Sequence, residues 1–213
     1  LNDPEQIELT SPTPTHLDRT CGETANVSQL IDWGKQALSQ LITSEFPGLQ
    51  CVLELDCETA TTELLNSAGL ICRYTDRTLS IYGAAEWIHG EDFLCIEAEQ
   101  TQRNTLDISQ FVTDIQTRLH WAKKYSVSPV GRLPVLFTGK AAELLWSTVE
   151  AALNSKRVIE RASPWSDCLG ELVISPTLSL QQDPQQGSFG CPFDDEGIPT
   201  RRVEFIRDGV LQL

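Results

Sequence analysis

Apolar residues recur at the spacing of an α-helix in two segments of the chain. The first segment follows Asn26 and stops at Phe46-Pro47-Gly48; its apolar and small positions are Leu30, Ile31, Gly34, Leu38, Leu41 and Ile42. The second begins at Asp107, which forms a capping-box pattern with Gln110, and its apolar face comprises Ile108, Phe111, Val112, Ile115 and Leu119. Both patterns predict amphipathic helices that bury one face.

Between these helices, short segments rich in β-forming residues alternate with turn residues such as Asn66-Ser67-Ala68-Gly69. The predicted strands are Cys51–Asp56, Thr61–Leu65, Leu70–Tyr74, Thr78–Trp87 and Phe93–Ala98. Strands joined this closely pair antiparallel, because parallel neighbours need a crossover of roughly a dozen residues or more. The expected fold class is α+β, an antiparallel β-meander with covering helices.

Residues 123–132 combine charge, Pro and Gly and predict a domain boundary. The elements expected after it are a strand at Leu133–Phe137, a helix from about Lys140 to Asn154, a strand at Leu172–Ser175, a polar loop at Ser179–Ser188 and a terminal hairpin. In that hairpin, the strand Val203–Arg207 runs into Asp208-Gly209, a pair that supplies the positive φ angles of a type I′ turn. These elements predict the start of a second, β-rich domain.

The predicted domains are residues 1–126, the latter part of an N-terminal α/β domain, and residues 127–213, the truncated beginning of a C-terminal β-rich domain. Residues 1–24 are rich in Pro, Thr and Glu and predict an extended connector on a surface. The short strand after Gly209, together with a chain that lacks methionine, indicates a fragment of a longer polypeptide. We therefore expect the meander from Cys51 to Ala98 to keep an uncovered edge or face.

The charge balance restricts the partners of this chain. It has 30 acidic and 16 basic residues and a formal net charge of −14, which repels phosphate backbones and anionic membranes and favours protein partners. The 7 cysteines are odd in number and contain no C-x-x-C pair, which indicates free thiols in a reducing compartment. Because no signal peptide or long apolar run is present, the predicted location is cytoplasmic.

Few residues offer catalytic chemistry by their pattern. His16, His89 and His120 are isolated from one another and from any metal-ligand spacing, which indicates surface or partly buried histidines. Cys51 and Cys57 fall on one face of a strand, where small buried thiols are ordinary core residues. The glycines near the C-terminus lack the strand-to-helix setting of a phosphate-binding loop. The sequence predicts no catalytic residue, metal ligand or cofactor-binding residue in this chain.

Three adjacent carboxylates, Asp194-Asp195-Glu196, precede Gly197. Such a cluster could bind a hard cation or share a proton. The favoured alternative is a tight turn, because Asp-Gly-rich clusters before strands are usually turns; the aspartates would then accept backbone N–H groups, and a nearby arginine would balance the charge. A third interpretation is contact with a peptide or partner protein. The residues assigned to this contact are Asp194, Asp195, Glu196, Arg201 and Arg202.

The same segment carries a family resemblance. Pro-Phe-Asp-Asp-Glu-Gly-Ile-Pro-Thr-Arg-Arg at 192–202, with Asp-Gly-Val-Leu-Gln at 208–212, resembles the characteristic block of the TldD/PmbA family. Members of this family were formerly called modulators of DNA gyrase and form a metalloprotease system. Weaker similarities lie in the Asn-Ser-Ala-Gly turn at 66–69 and in Leu-Pro-Val-Leu-Phe at 133–137, followed by Ala-Ala-Glu-Leu-Leu at 141–145.

In the TldD branch of the family, the helix after the Leu-Leu pair carries a His-Glu-x-x-x-His motif, which supplies zinc ligands and a catalytic glutamate. Here the same register gives Trp146 and Ala151 at the histidine positions and Ser147 at the glutamate position. Indole and methyl groups offer no ligand lone pair, and a serine hydroxyl is a poor base at neutral pH. Glu150 is interpreted as a solvated carboxylate. The resemblance therefore implies the TldE/PmbA-like branch, which lacks the zinc motif.

This resemblance implies a non-catalytic subunit that closes a chamber with a TldD-type zinc metalloprotease and admits small or unfolded peptides. Zinc is then expected only in the TldD-type partner. Two alternatives stay open: a homodimeric metalloprotease whose ligands lie beyond residue 213, and a gyrase-type protein-interaction modulator without proteolysis. The expected partners are a TldD-type subunit or a second copy of the chain, together with a peptide substrate.

Overall fold

The computed structural model describes residues 9–11, 17–124, 126–184 and 186–213. Its contacts divide the chain into two compact units. The first comprises Leu1–Val127 with Gln185–Thr200, and the second comprises Ser128–Pro184 with Arg201–Leu213. The sequence-based domains, 1–126 and 127–213, stay a prediction. The contact-defined units differ from them because residues 186–200 pack with the first unit.

The first unit is an α+β layer of one sheet and two helices. Its elements are β1 (Leu17–Cys21), α1 (Val27–Leu41), β2 (Gln50–Leu65), β3 (Ile71–His89), β4 (Asp92–Gln102) and α2 (Ile108–Ala122). β2 and β3 form one long antiparallel hairpin, paired from Gln50↔Glu86 to Leu65↔Ile71. β4 pairs antiparallel with the C-terminal half of β3. The α+β class and the antiparallel meander are therefore confirmed.

Two strand predictions are corrected. The four segments predicted between Cys51 and Trp87 are only two strands, because Glu58 and Thr59 stay paired with Thr78 and Arg77 across the expected break. Within the predicted connector, β1 pairs in parallel with the N-terminal half of β3. Parallel pairing is possible here because α1 and β2 lie between β1 and β3 and supply the long crossover. Residues 1–8 and 12–16 of the connector lie outside the described residues.

The two helices begin where their patterns predict, but only α2 buries the predicted face. In α1 the buried residues are Ala37 and Leu41, whereas the predicted Ile31 and Ile42 are exposed. Asn26 caps α1 through the N–H of Gln29, whose side chain bonds back to the Asn26 N–H. Asp107 caps α2 by accepting from the Gln110 N–H, but its own N–H donates to Gln100, so the capping box is only half formed. The buried face of α2 is the predicted one: Ile108, Phe111, Val112, Ile115 and Leu119.

The hairpin β2–β3 buries opposite faces in its two halves. Near its open end, Leu79, Ile81 and Ala85 pack with α1 and α2 in the main core. Near the Asn66 turn, Leu70 and Cys72 pack instead with Phe193, from the segment that follows residue 185. In the described part of the chain β2 pairs only with β3, and alternate β2 side chains are exposed. The expectation of an uncovered edge and face is thus confirmed for these residues.

The second unit is helical at first and ends in a small sheet. Its elements are a 3₁₀ turn (Gly139–Ala142), α3 (Glu143–Leu153), α4 (Ser155–Ile159), β5 (Leu180–Gln182), β6 (Val203–Arg207) and β7 (Val210–Leu211). The predicted helix is thus present as α3. It ends before Asn154, whose side chain caps the short helix α4 that follows. The predicted hairpin is also present, with φ of 48° at Asp208 and 79° at Gly209. Among the described residues, no helix is both long and apolar enough to cross a membrane.

Two predicted strands of this unit are wrong. Leu133–Phe137 forms no strand, and Val135 and Leu136 are 71% and 87% exposed, because no described strand pairs with this segment. At Leu172–Ser175 only an isolated bridge, Leu172↔Val210, forms. The backbone N–H groups of Val173 and Ile174 both donate to the Gly209 carbonyl. Because Gly209 lies in a left-handed turn, these bonds do not extend the bridge into a strand ladder. Conversely, β5 lies inside the predicted polar loop.

Candidate functional site

The acidic segment folds as a tight turn built around Asp194. The Asp194 carboxylate accepts the N–H of Glu196 at 3.0 Å and that of Ile198 at 2.9 Å. Its backbone N–H donates to the Ile198 carbonyl, and the Gly197 N–H donates back to the Asp194 carbonyl at 2.9 Å. Gly197 has a φ of 80°, which favours glycine. Asp194 therefore caps the turn, as the favoured interpretation predicts. In the described structure, however, Asp195 accepts no backbone N–H group and neither Arg201 nor Arg202 pairs with the acidic cluster.

Phe193 anchors this turn to the sheet. Its side chain is 4% exposed and packs with Leu70 and Cys72, and its ring lies edge-on to Tyr74 at 5.3 Å between centroids. A Cβ added to Gly197 would overlap Leu70 and lie 2.9 Å from Leu64 Cδ2. The turn is thus pressed against β2 and β3, and Gly197 is required by space as well as by conformation.

Arg103 makes a second attachment, which the sequence did not reveal. Its guanidinium pairs with both carboxylate oxygens of Asp76, at 2.8 and 2.9 Å, and also donates to the carbonyls of Gly187 and Gly190. The hydrogen bond to Asp76 raises the pKa of Arg103. Ser188 adds a hydrogen bond to the Thr101 carbonyl at 2.6 Å. No motif signals this cluster, because its members are far apart in sequence.

The remaining candidate contact residues are exposed. The side chains of Asp195 and Glu196 form no hydrogen bond or ion pair with any residue that the structure describes. Arg202 donates to Gln181 Oε1, with 3.2 Å from Nε, and Arg201 is exposed. These groups are free to meet a partner, so their assignment as peptide or partner contacts stays a prediction.

The three positions that the resemblance aligns with the zinc motif of the TldD branch lie on helix α3. Trp146, Ser147, Glu150 and Ala151 lie on adjoining turns of one side of this helix, since residues four apart are neighbours on a helix. Ser147 is exposed and donates to the Leu144 carbonyl at 3.1 Å, while Trp146 and Ala151 are half-buried. None of the three residues in the motif register carries a metal-binding group, so this side of α3 does not fit a zinc ion.

The other predicted chemistry can be placed only in part. His16 and the side chain of His89 lie outside what the structure describes. His120 is exposed and meets Glu45, with 2.9 Å between Nε2 and Oε1. Lys123 also contacts Glu45, and it lowers the pKa of that carboxylate more than His120 does. This cluster joins segments that are distant in sequence, so spacing did not predict it.

The cysteines are all free thiols in the structure. Cys51 and Cys57 face the same core, as their spacing predicts, and burial raises the pKa of Cys51. Among the described residues, no group of three or more His, Cys, Asp or Glu side chains is close enough to hold a metal ion.

Comparisons with known proteins indicate the class of protein that this chain resembles. Residues 130–213 match the family described as the PmbA/TldA metallopeptidase C-terminal domain. Metalloprotease PmbA of Escherichia coli O157:H7 is 29% identical over 82 residues, which are 38% of this chain and 18% of that protein. The class is therefore metallopeptidase-related.

Solved structures show the same fold over nearly the whole chain. TldE from Thermococcus kodakarensis aligns with a TM-score of 0.76 and 21% identity, covering 99% of this chain and 49% of that one. A Thermotoga maritima protein described as a candidate modulator of a DNA gyrase aligns with a TM-score of 0.77 and 19% identity, covering 97% and 50%. The chain thus spans about half the length of these solved relatives. The family match over residues 130–213 and the similarity to PmbA confirm the resemblance to the TldD/PmbA family that the sequence indicates.

Proposed function

We propose that this protein is a TldE/PmbA-like, non-catalytic subunit of a TldD-type zinc metalloprotease complex that processes small or unfolded peptides in the cytoplasm. The observation that supports the proposal is the sequence of α3, in which Trp146, Ser147 and Ala151 align by resemblance with the zinc motif of the TldD branch. These side chains supply neither zinc ligands nor a general base. In this proposal, zinc and the catalytic glutamate come from the partner subunit.

The acidic turn supports a role in assembly. Its backbone is fixed by Asp194, Phe193 and Gly197, whereas the carboxylates of Asp195 and Glu196 are exposed. A rigid turn presents these two charges at little cost in conformational entropy, which favours recognition of a partner. The names of the relatives agree with this proposal: one is called TldE and another Metalloprotease PmbA.

Reconstitution with a TldD-type subunit tests the proposal. The full-length protein is purified alone and with that subunit, and zinc content, complex mass and cleavage of an unstructured fluorogenic peptide are measured. We expect a complex that cleaves the peptide, and a protein alone that holds no stoichiometric zinc and is inactive. One zinc per chain together with cleavage by the protein alone would establish a homodimeric metalloprotease instead. Failure to form a complex would remove the accessory role.

Charge reversal tests the contact residues. Asp195→Lys and Glu196→Lys should each weaken the complex by about tenfold, because like charges then meet across the interface. The matched control is Glu58→Lys, which reverses an exposed carboxylate on the open sheet. Equal affinity for all three variants and the unmodified protein would show that the turn lies outside the interface.

A further inference from the structure

A cavity of about 480 Å³ opens within the second unit beside α3, and Ala151 of the motif register is among its lining residues. Leu145, Val149 and Ala152 of α3 form one wall, and Pro164, Trp165 and Ile174 complete the apolar lining. Protein pockets that take small ligands span roughly 300–1,000 Å³ and are mostly apolar with a few polar groups. This cavity has the size and lining of such a pocket.

Hydrogen bonds hold the cavity wall in place. The buried Ser163 hydroxyl donates to the Ala152 carbonyl at 2.6 Å and accepts the Trp165 N–H at 3.1 Å. The N–H groups of Ala162 and Ser163 both donate to the Arg157 carbonyl, at 2.8 and 3.1 Å. These bonds tie the segment carrying Trp165 to the ends of α3 and α4. The cavity is therefore preformed, which lowers the entropic cost of filling it.

Three polar side chains that line the cavity have no hydrogen-bond partner among the described residues. Arg157, Thr148 and Trp165 all line it, and their guanidinium, hydroxyl and indole N–H groups form no hydrogen bond or ion pair with any described residue. A guanidinium beside an apolar pocket matches a carboxylate attached to an apolar group. A hydroxyl and an indole N–H can additionally accept from and donate to a peptide group.

We propose that this cavity binds the carboxyl-terminal residue of a peptide, with an apolar side chain in the pocket and the terminal carboxylate on Arg157. A peptide is preferred to a simple fatty acid because it brings N–H and C=O groups that Thr148 and Trp165 can pair. The choice of a peptide rests on the proposed function. The pocket itself, its apolar lining and its unpaired cation do not depend on it.

Calorimetric titration of the full-length protein, without any partner subunit, tests this site. The probes are N-acetyl-Ala-Leu with a free carboxylate, its C-terminal amide, and octanoate. We expect the free acid to bind, and the amide to bind at least about tenfold more weakly because the charged hydrogen bond is lost. Tighter or equal binding of the amide overturns the carboxylate assignment. Octanoate binding as tightly as the peptide overturns the peptide assignment, and no binding of any probe overturns the site.

Matched variants locate the binding. Arg157→Ala should weaken the free acid about tenfold, whereas Lys156→Ala, which changes the neighbouring cation outside the lining, should leave affinity unchanged. Thr148→Phe should block the cavity, whereas Ser147→Phe, one residue along α3, should not. Thermal melts confirm that each variant folds. Unchanged binding in Arg157→Ala or Thr148→Phe would place the peptide elsewhere. Because no partner subunit is present, peptide binding can succeed even if the accessory role fails, and the reverse also holds.

Discussion

The two halves of the hairpin β2–β3 share a backbone ladder but bury opposite faces. In the half near α1 and α2, Ile81 and Ala85 of β3 lie in a large core, at 1% and 0% exposure. In the half near the Asn66 turn, Cys72 is fully buried on the other face, against Phe193. Side chains of both strands point alternately to the two faces along the whole ladder, so the buried face is decided by which segment packs against each half.

The segments that pack on the two halves of the hairpin, here called the first and second cover, lie at different distances from it along the chain. α1 and α2 flank the meander directly, whereas the turn that carries Phe193 follows the hairpin by more than a hundred residues. Among the described residues, the first cover buries many side chains, whereas the second buries Leu70, Cys72 and Phe193 and partly buries Leu64 and Tyr74. We therefore expect the first half to control global stability and the second to control docking of the acidic turn.

The largest contrast should come from two phenylalanines. Phe111→Ala removes a ring that is 2% exposed and packed tightly on Gly83, and it should lower the free energy of unfolding by about 3–5 kcal/mol. Phe193→Ala should lower it by less, about 2–3 kcal/mol, because the small cluster can collapse. Urea denaturation measures both changes, with Phe93→Ala, 64% exposed, as a control near zero. Equal losses for Phe111→Ala and Phe193→Ala would remove the distinction between the two covers.

Two glycines separate backbone strain from close packing. Gly197 and Gly48 have φ angles of 80° and 81°, but only Gly197 has side chains within 4 Å of an added Cβ. Gly48→Ala should cost about 1 kcal/mol from the left-handed backbone alone. Gly197→Ala should cost about 2–3 kcal/mol and expose the 191–200 amides to hydrogen exchange, because steric overlap with Leu70 is added. Identical exchange in the two variants would contradict the proposed docking of the turn.

The ion pairs of Arg103 and Arg207 give a smaller contrast. Arg103 and Asp76 have side-chain exposures of 14% and 21%, whereas Arg207 and Glu204 have 62% and 31%. Arg103→Gln should cost about 1–2 kcal/mol and speed hydrogen exchange at residues 186–190, since it also loses the carbonyls of Gly187 and Gly190. Arg207→Gln should change stability by less than about 1 kcal/mol in denaturation. A larger effect at Arg207 would reverse the ranking.

The smallest effect concerns the open face of the first half, where Tyr82 donates to Glu97 at 2.9 Å. That hydrogen bond raises the pKa of Tyr82 above its ordinary value of 10.0. A raised pKa in the folded state means that the contribution to stability is full below about pH 10 and is lost as pH rises through the folded pKa. Ultraviolet absorbance, with Tyr82→Phe subtracted, should show a midpoint above 10 that falls in Glu97→Gln but not in Glu63→Gln. An unchanged midpoint in Glu97→Gln would exclude this hydrogen bond.

Local signals in the sequence were sufficient for several elements. The capping residue Asp107 and the turn pair Asp208-Gly209 lie where predicted, because caps and turns depend on a few neighbouring residues. The expected strand at Leu133–Phe137 was wrong for the opposite reason: an apolar β-rich segment becomes a strand only when another strand, often distant in sequence, pairs with it.

The candidate site divides in the same way. The tight turn at Asp194 and the left-handed Gly197 followed from residue type and spacing. The attachment by Arg103 and the cavity beside α3 did not, because their members come together only through folding.

The sequence by itself determined the α+β class, the buried face of α2, the terminal hairpin and the family resemblance, all of which depend on short-range chemistry and residue identity. Only the tertiary structure decided that β1 adds a parallel strand, that the five predicted strands of the meander are three, and that the acidic turn covers the second half of the hairpin. The physical reason is that alternation specifies two faces of a strand, while burial depends on which distant segment reaches each face.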